Sequence, residues 1–199
     1  RTDLADGKPM WTSRAWPDLI QGVAYPGGED RSNDRFADPI RGRVRGDEIL
    51  IATGARTVCF IERAGRAVAL DAATGRELWA RALPVAQIHD ADLAAGVLAV
   101  GGSALNDRGA LDPALVTLDP RTGETVHSDD RLASPPRWVR VSEGAEVIAG
   151  LNDRIISVAP FDARLNWEIS DEPLADTRDA WLNGSELLIR DETDDLWII

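Results

Sequence analysis

Ala69-Leu70-Asp71-Ala72-Ala73-Thr74-Gly75-Arg76-Glu77-Leu78-Trp79 decides how the rest of this chain is read, because its pattern returns three times. Laying Trp11 on Trp79 brings Asp3, Asp6, Gly7 and Lys8 onto Asp71, Thr74, Gly75 and Arg76. Laying Asp119 on Asp71 brings Thr122 and Gly123 onto Thr74 and Gly75, with His127 in the tryptophan position. Laying Trp167 on Trp79 puts Asp162 in the threonine position, while Ala159 and Ala163 replace the aspartate and the glycine. The leading position thus recurs at residues 3, 71, 119 and 159. Spacings of this size are the mark of stacked supersecondary units.

Each unit reads as short strands separated by breakers. In the third unit, residues 137–141, 145–150, 155–159 and 165–169 are apolar or alternating runs, broken at Glu143-Gly144, Asn152-Asp153 and Pro160–Asp162. The fourth gives 177–182, an Asn183-Gly184 turn, 185–190 and 196–199. Even spacing of this kind predicts an all-β chain. In the Asp-x-x-Thr-Gly element the glycine supplies a positive φ, and the aspartate carboxylate accepts backbone N–H groups. The tryptophan that follows offers a large flat area for burial between units. Trp138 and Trp181 read as equivalent first-strand positions, and the tryptophans other than Trp16 read as packing residues.

Four antiparallel strands in about forty residues describe a β-propeller blade. The Ala-x-Asp-x-x-Thr-Gly-x-Glu-x-Trp pattern of residues 69–79 resembles the repeat of the PQQ-like propeller family, which includes quinoprotein dehydrogenases and BamB-like outer-membrane assembly factors. The predicted fold is therefore an all-β propeller of four-stranded antiparallel blades, with four repeats. Blades are expected over about 47–83, 87–130, 136–170, and 177–199 joined by 1–13, with an insertion over about 15–46, all in one domain. Residues 1–11 carry the turn and fourth strand of a blade, and 177–199 carry the first three strands of another. The N-terminal strand then completes the last blade. A ring closed in this way within one chain has four blades, whereas the resemblance implies seven or eight. An obligate oligomer would argue against closure within one chain.

Composition narrows the function. A net charge of −12 excludes the basic surface that nucleic acid requires and leaves a protein partner, a cation or plain solubility. No run is long and apolar enough to span a membrane. The chain opens on Arg1, as a mature or excised segment would. The resemblance implies an extracytoplasmic setting, periplasmic or cell-surface. The single cysteine, Cys59, lies in an apolar strand and reads as a core thiol.

No nucleophile elbow, phosphate loop or dinucleotide fingerprint is present, so no catalytic residue is assigned. His89 and Asp90 are neighbours on a strand and point to opposite faces, which rules out a dyad. His127 reads as a packing residue. Two histidines and one cysteine do not make a zinc site, and no calcium loop is complete. The quinone cofactor of the resembled dehydrogenases needs an adjacent cysteine pair that is missing here, so no cofactor and no metal are expected. The expected structural residues are Asp3, Gly7, Trp11, Asp71, Thr74, Gly75, Trp79, Asp119, Thr122, Gly123 and Trp167.

Strand direction sends the connection into each blade and the loop between its second and third strands to one face. That face collects the insertion, residues 104–112, Asn152-Asp153 and residues 191–195, and it is the expected site for a protein partner. Its candidate contacts are Trp16, Tyr25, Asp30, Asp34, Asp107, Asp112, Asp191 and Asp194. Two other readings stand beside this non-catalytic module. One is a small propeller hydrolase or lyase using acidic residues in the central channel. The other is an extracytoplasmic ligand-sensing domain of a larger receptor.

Overall fold

A computed structural model describes residues 49–129, 131–170, 177–184, 186–191 and 193–199. Among these residues the chain is all β, in four antiparallel sheets that follow one another along the sequence. Sheet 1 holds β1 (Ile49–Thr53), β2 (Thr57–Glu62), β3 (Arg66–Asp71) and β4 (Glu77–Ala82). Sheet 2 holds β5 (Gln87–Ala94), β6 (Val97–Leu105), β7 (Leu111–Leu118) and β8 (Thr125–Asp129). Sheet 3 holds β9 (Trp138–Val141), β10 (Val147–Gly150), β11 (Ile155–Val158) and β12 (Leu165–Ile169). Sheet 4 holds β13 (Thr177–Asn183), β14 (Glu186–Asp191) and β15 (Leu196–Ile198). Each sheet is a simple meander, which is the construction of a propeller blade. Residues 1–13, assigned by the repeat to the fourth strand of sheet 4, lie outside the described residues.

The strands follow from the sequence. The second and third strands face neighbouring blades on both sides, so they read as continuous apolar runs such as Val147–Gly150 and Ile155–Val158, all buried. The fourth strands are outermost and largely exposed, with mixed residues such as Leu-Asn-Trp-Glu-Ile. Pairing between third and fourth strands slips at the same place in sheets 1, 2 and 3, after Ala69, Thr117 and Ser157. This repeated bulge turns the chain into the Asp-x-x-Thr-Gly element.

The core is divided among the interfaces between sheets. Cys59, Ile61, Ala69 and Trp79 pack with Ile88, Leu93, Val100 and Val116, joining sheets 1 and 2. Ala99 and Leu115 pack with Val139, Val147 and Ile156, joining sheets 2 and 3. Trp138, Ile148 and Ile155 pack with Ala180, Leu187 and Ile189, joining sheets 3 and 4. The inner strands touch in order, β1 with β5, β5 with β9 and β9 with β13, and β13 makes no comparable contact with β1.

Two expectations shift in register. Asn183 pairs with Glu186, so the turn follows Asn183, with Gly184 at a φ of 62°. Trp138 and Trp181 are not equivalent. Trp138 faces Gly150, next to the hairpin joining β10 and β11, whereas Trp181 faces Leu188, two residues before the corresponding position. The reason is packing. Trp138 lies on Gly150, where an added Cβ would fall 2.2 Å from the indole, and its Nε1 donates to Thr177 Oγ1 in the next sheet. Trp181 is half-buried beneath the Arg190 guanidinium, 5.2 Å from the ring centre. Trp197 is 39% exposed on β15, so it is not a core residue among the described residues.

The glycine of the repeated element is fixed by conformation and by space. Gly75 and Gly123 have φ values of 71° and 70°, and an added Cβ on Gly123 would fall 2.6 Å from the Trp79 ring of the preceding sheet. Ala163 takes the same position with φ of 47°, and the preceding sheet there carries the smaller His127. Gly123→Ala is therefore expected to cost at least ~2 kcal/mol through the clash and the left-handed backbone. Ala163→Gly is expected to raise stability by about 0.5–1 kcal/mol, because only the strain is removed. Denaturant titration of the two variants measures both signs.

Candidate functional site

The repeated element works as a turn and as a docking point for the neighbouring blade. Asp71 Oδ1 accepts the N–H groups of Ala73 and Thr74 at 3.1 and 2.8 Å and the Thr74 hydroxyl at 2.8 Å. Asp119 Oδ1 accepts the N–H groups of Arg121 and Thr122 at 2.7 and 3.3 Å. Across the interface, Trp79 Nε1 donates to Pro120 O at 2.9 Å, and Arg81 donates to the carbonyls of Gly123 and Thr122 at 3.1 and 3.0 Å. At the next interface His127 stands where Trp79 does, and the Thr117 hydroxyl makes the bond to Pro160 O. Trp167 is half-buried on β12 opposite Ser157. Asp3, Gly7 and Trp11 lie outside the described residues.

Thr74 holds the Asp71 carboxyl below its ordinary value, chiefly through its hydroxyl and then through its N–H. Thr193 does the same for Asp191 through its hydroxyl, helped by Trp197 Nε1 and the N–H groups of Asp195 and Thr193. Burial pushes the Asp129 carboxyl up, but the hydrogen bonds and charge of Arg131 outweigh it and leave it lowered. A lowered carboxyl pKa stabilises the fold above the unfolded value, and that contribution is lost as pH falls through the folded value. Carboxyl NMR titration should place Asp71 below 3.8, and Thr74→Val should return it toward 3.8.

On the inner strands the sequence reading missed a cluster that spans three sheets. Arg140 on β9 is 3% exposed and donates to Asp90 of sheet 2 at 2.6 Å. It also donates to Asp179 and to the Ala180 carbonyl of sheet 4, and to the Val139 carbonyl. Asp90 further accepts Val139 N–H, and Asp92 accepts Val141 N–H, at 3.1 and 2.8 Å. His89 Nδ1 lies 3.1 Å from Pro136 O, and the ladder is irregular between Ile88 and Asp90. His89 and Asp90 therefore serve different partners. The partners lie 39 and 50 residues from Arg140, so no local pattern signals the cluster. These carboxylates hold the blades together, which leaves Asp90, Asp92 and Asp179 already engaged where a channel hydrolase would use them. Removing the buried guanidinium strands two carboxylates, and Arg140→Met is expected to lower stability by about 3 kcal/mol in denaturant titration.

The face opposite the Asp-x-x-Thr-Gly turns gathers the hairpins between second and third strands of all four sheets. Several of its aspartates are occupied by their own turns. Asp191 accepts Thr193 N–H, the Thr193 hydroxyl, Asp195 N–H and Trp197 Nε1. Asp112 accepts Asn106 Nδ2 at 3.0 Å, and Asn106 Oδ1 caps Arg108 and Ala110. Asp107 and Asp194 are exposed, and Asp194 has a φ of 66°. Trp16, Tyr25, Asp30 and Asp34 lie outside the described residues.

The hairpin of β6 and β7 extends beyond the ladders of the other sheets. At its tip Leu105 pairs directly with Leu111, and the two are 63% and 44% exposed. The insertion over 104–112 is its signal in the sequence, and the candidate contacts read from that insertion are Asp107 and Asp112 rather than the two leucines. An open cavity of about 560 Å³ lies elsewhere, between the end of β8 and the outer part of sheet 3. It is lined in part by Leu132, Ile156, Val158, Leu165, Arg131 and Arg164. Among the described residues no three His, Cys, Asp or Glu side chains come together to hold a metal ion. No helix among them is long and apolar enough to cross a membrane.

The meander sheets and the turn-to-tryptophan stitching define a PQQ-like β-propeller. The family model described as outer membrane protein assembly factor BamB matches residues 1–182, and the chain belongs to that family. No curated protein matches significantly. Among solved structures, the computationally designed protein Ika4 aligns with a TM-score of 0.60 at 12% identity, over 75% of this chain and 88% of that one. KlAtg21, in complex with the coiled coil of AgAtg16, aligns with a TM-score of 0.63 at 12% identity, over 78% of this chain and 53% of that one. BamB from Moraxella catarrhalis aligns with a TM-score of 0.51 at 16% identity, over 78% and 48%. The chain thus spans about half the length of the latter two proteins.

Proposed function

We propose that this chain is a non-catalytic interaction module that presents the face of its second-to-third-strand hairpins to a protein partner. The observation that carries this reading is the Leu105–Leu111 pair, raised on an extended hairpin with both side chains open to solvent. Exposed leucines at a rigid tip gain free energy only when something covers them. Asp107 and Arg108 beside them supply charges of both signs that orient a partner more than they hold it. Asp194 marks a second exposed point on the same face. Trp16, Tyr25, Asp30 and Asp34 extend the proposed surface into the insertion.

Membership in a family named for an outer membrane protein assembly factor supports an extracytoplasmic setting and a protein as the partner. The blades over about 47–83, 87–130 and 136–170, and the last blade with residues 1–13, are proposed to form one domain. A binding role needs no channel carboxylate, which accords with Asp90 and Asp179 both being bound to Arg140.

The test is affinity capture from native extract, followed by measurement of binding to the purified captured protein. Leu105→Ser with Leu111→Ser is expected to weaken binding at least tenfold, in keeping with the loss of buried apolar anchors at an interface, about 1.4 kcal/mol or more. Its melting temperature should stay that of the unaltered chain, because the tip carries no core contact. Equal affinity of the two proteins would contradict the proposal.

A further inference from the structure

The interface between sheets 2 and 3 differs from the one before it at two stitching positions. In sheet 1, Ala67 pairs with Arg81 and Ala69 with Trp79; in sheet 2 the matching pairs are Leu115 with Asp129 and Thr117 with His127. Arg81 donates to the carbonyls of Thr122 and Gly123 in the next turn. Asp129 is an acceptor and cannot donate to the carbonyls of Asp162 and Ala163, which hold those turn positions in sheet 3. Asp129, Asp162 and Ala163 all line the open cavity of about 560 Å³ beside β8. The cavity therefore lies where a guanidinium joins the preceding pair of sheets.

The chemistry of the lining suits such a group. The Asp129 side chain is 9% exposed, and its Oδ1 accepts Arg131 N–H and Nε, both at 3.0 Å. Its Oδ2 lies 3.5 Å from Arg131 Nη2, at the limit of a hydrogen bond, and the Arg131 side chain is 74% exposed. A buried carboxylate held mainly through one oxygen gains from a second cation. Asp162 Oδ1 caps Arg164 N–H, and a carboxylate has room for further donors. Arg154 brings no net charge to the cavity, because Asp153 and Glu168 bind it at 2.7 and 2.8 Å. Arg164 is exposed, where solvent screens it. Leu132 and Leu165 supply apolar wall, and Leu165 is 51% exposed. A flat fork of donors on an apolar stem matches this combination better than a compact ammonium does.

We propose that this cavity is a second binding site, separate from the hairpin tip, and that it takes an arginine side chain from a peptide segment of a partner protein. The guanidinium sits on the Asp129 carboxylate and on the carbonyls of Asp162 and Ala163, and the methylene stem lies against Leu132 and Leu165. The chain carries its own precedent for the carbonyl contacts in Arg81 on Thr122 and Gly123. What the chain supplies to itself at the first interface, a partner supplies at the second.

NMR titration of the full chain with the peptide acetyl-Leu-Arg-Leu-amide tests this. Saturable shifts are expected at the amides of Asp129, Ala163 and Leu165, and citrulline in place of the arginine should bind at least tenfold more weakly, since it keeps the shape and loses the charge. Asp129→Arg installs the residue of the first interface and should abolish peptide binding without lowering the melting temperature. Asp129→Asn removes the charge without filling the cavity and should weaken binding at least tenfold, so the site stays testable if the arginine variant does not fold. The Leu105→Ser, Leu111→Ser protein should bind the peptide as the unaltered chain does, which keeps this site distinct from the hairpin surface. Any of four results would overturn the proposal: no saturable binding, equal affinity for the citrulline peptide, tighter binding of a glutamate peptide, or unchanged affinity in a folded Asp129 variant.

Discussion

Each blade of this protein is held to the next by what the tryptophan position does to the neighbouring turn. Trp79 lies against Gly123, its Nε1 donates to Pro120 O, and Arg81 binds the carbonyls of Thr122 and Gly123. One side chain thus contributes apolar burial and also satisfies a carbonyl that would otherwise be buried alone. The turn must present its backbone to the indole, and this is why a glycine stands there. The aspartate in turn fixes the loop that offers the carbonyl. Trp79 of one blade and Asp119, Thr122 and Gly123 of the next are therefore one device shared between two blades.

The second interface shows how that device changes. His127 is too short to repeat the indole bond, and the hydroxyl of Thr117, where sheet 1 has Ala69, reaches Pro160 O instead. With a smaller ring above it, the turn accepts Ala163 in place of glycine. Three substitutions that look like decay of the repeat are a linked set. At the channel end the blades are joined differently, by the buried Arg140 reaching into sheets 2 and 4. Removing one partner of such a cluster costs more than the cluster contributes over an apolar alternative. It fixes which inner strands are neighbours.

The blades were legible because their signal is local. Strand lengths, breakers and the Asp-x-x-Thr-Gly spacing all lie within forty residues, and the strands of sheet 3 fall within two residues of their expected bounds. The inner-strand cluster was not legible, since Asp90, Arg140 and Asp179 meet only once three sheets are packed. The relation of Trp138 to Trp181 was misread because a tryptophan in a first strand says nothing about register until its partner on the second strand is known. The candidate face was legible in outline, because strand direction alone sends the hairpins there. Its chemistry was not. Asp191 and Asp112 bind their own loops, whereas the solvent-facing groups at the tip are Leu105 and Leu111, which no sequence motif singles out.

The most direct test of the stitching is a double-mutant cycle between Trp79→His and Gly123→Ala, read by denaturant titration. Together the two changes transplant part of the second interface onto the first. Shrinking the ring should relieve the clash and leave the backbone strain, so the pair is expected to be less destabilising than the sum of its parts by at least ~1 kcal/mol. Additivity within about 0.3 kcal/mol would mean that the tryptophan and the turn do not act on one another, and would contradict the account.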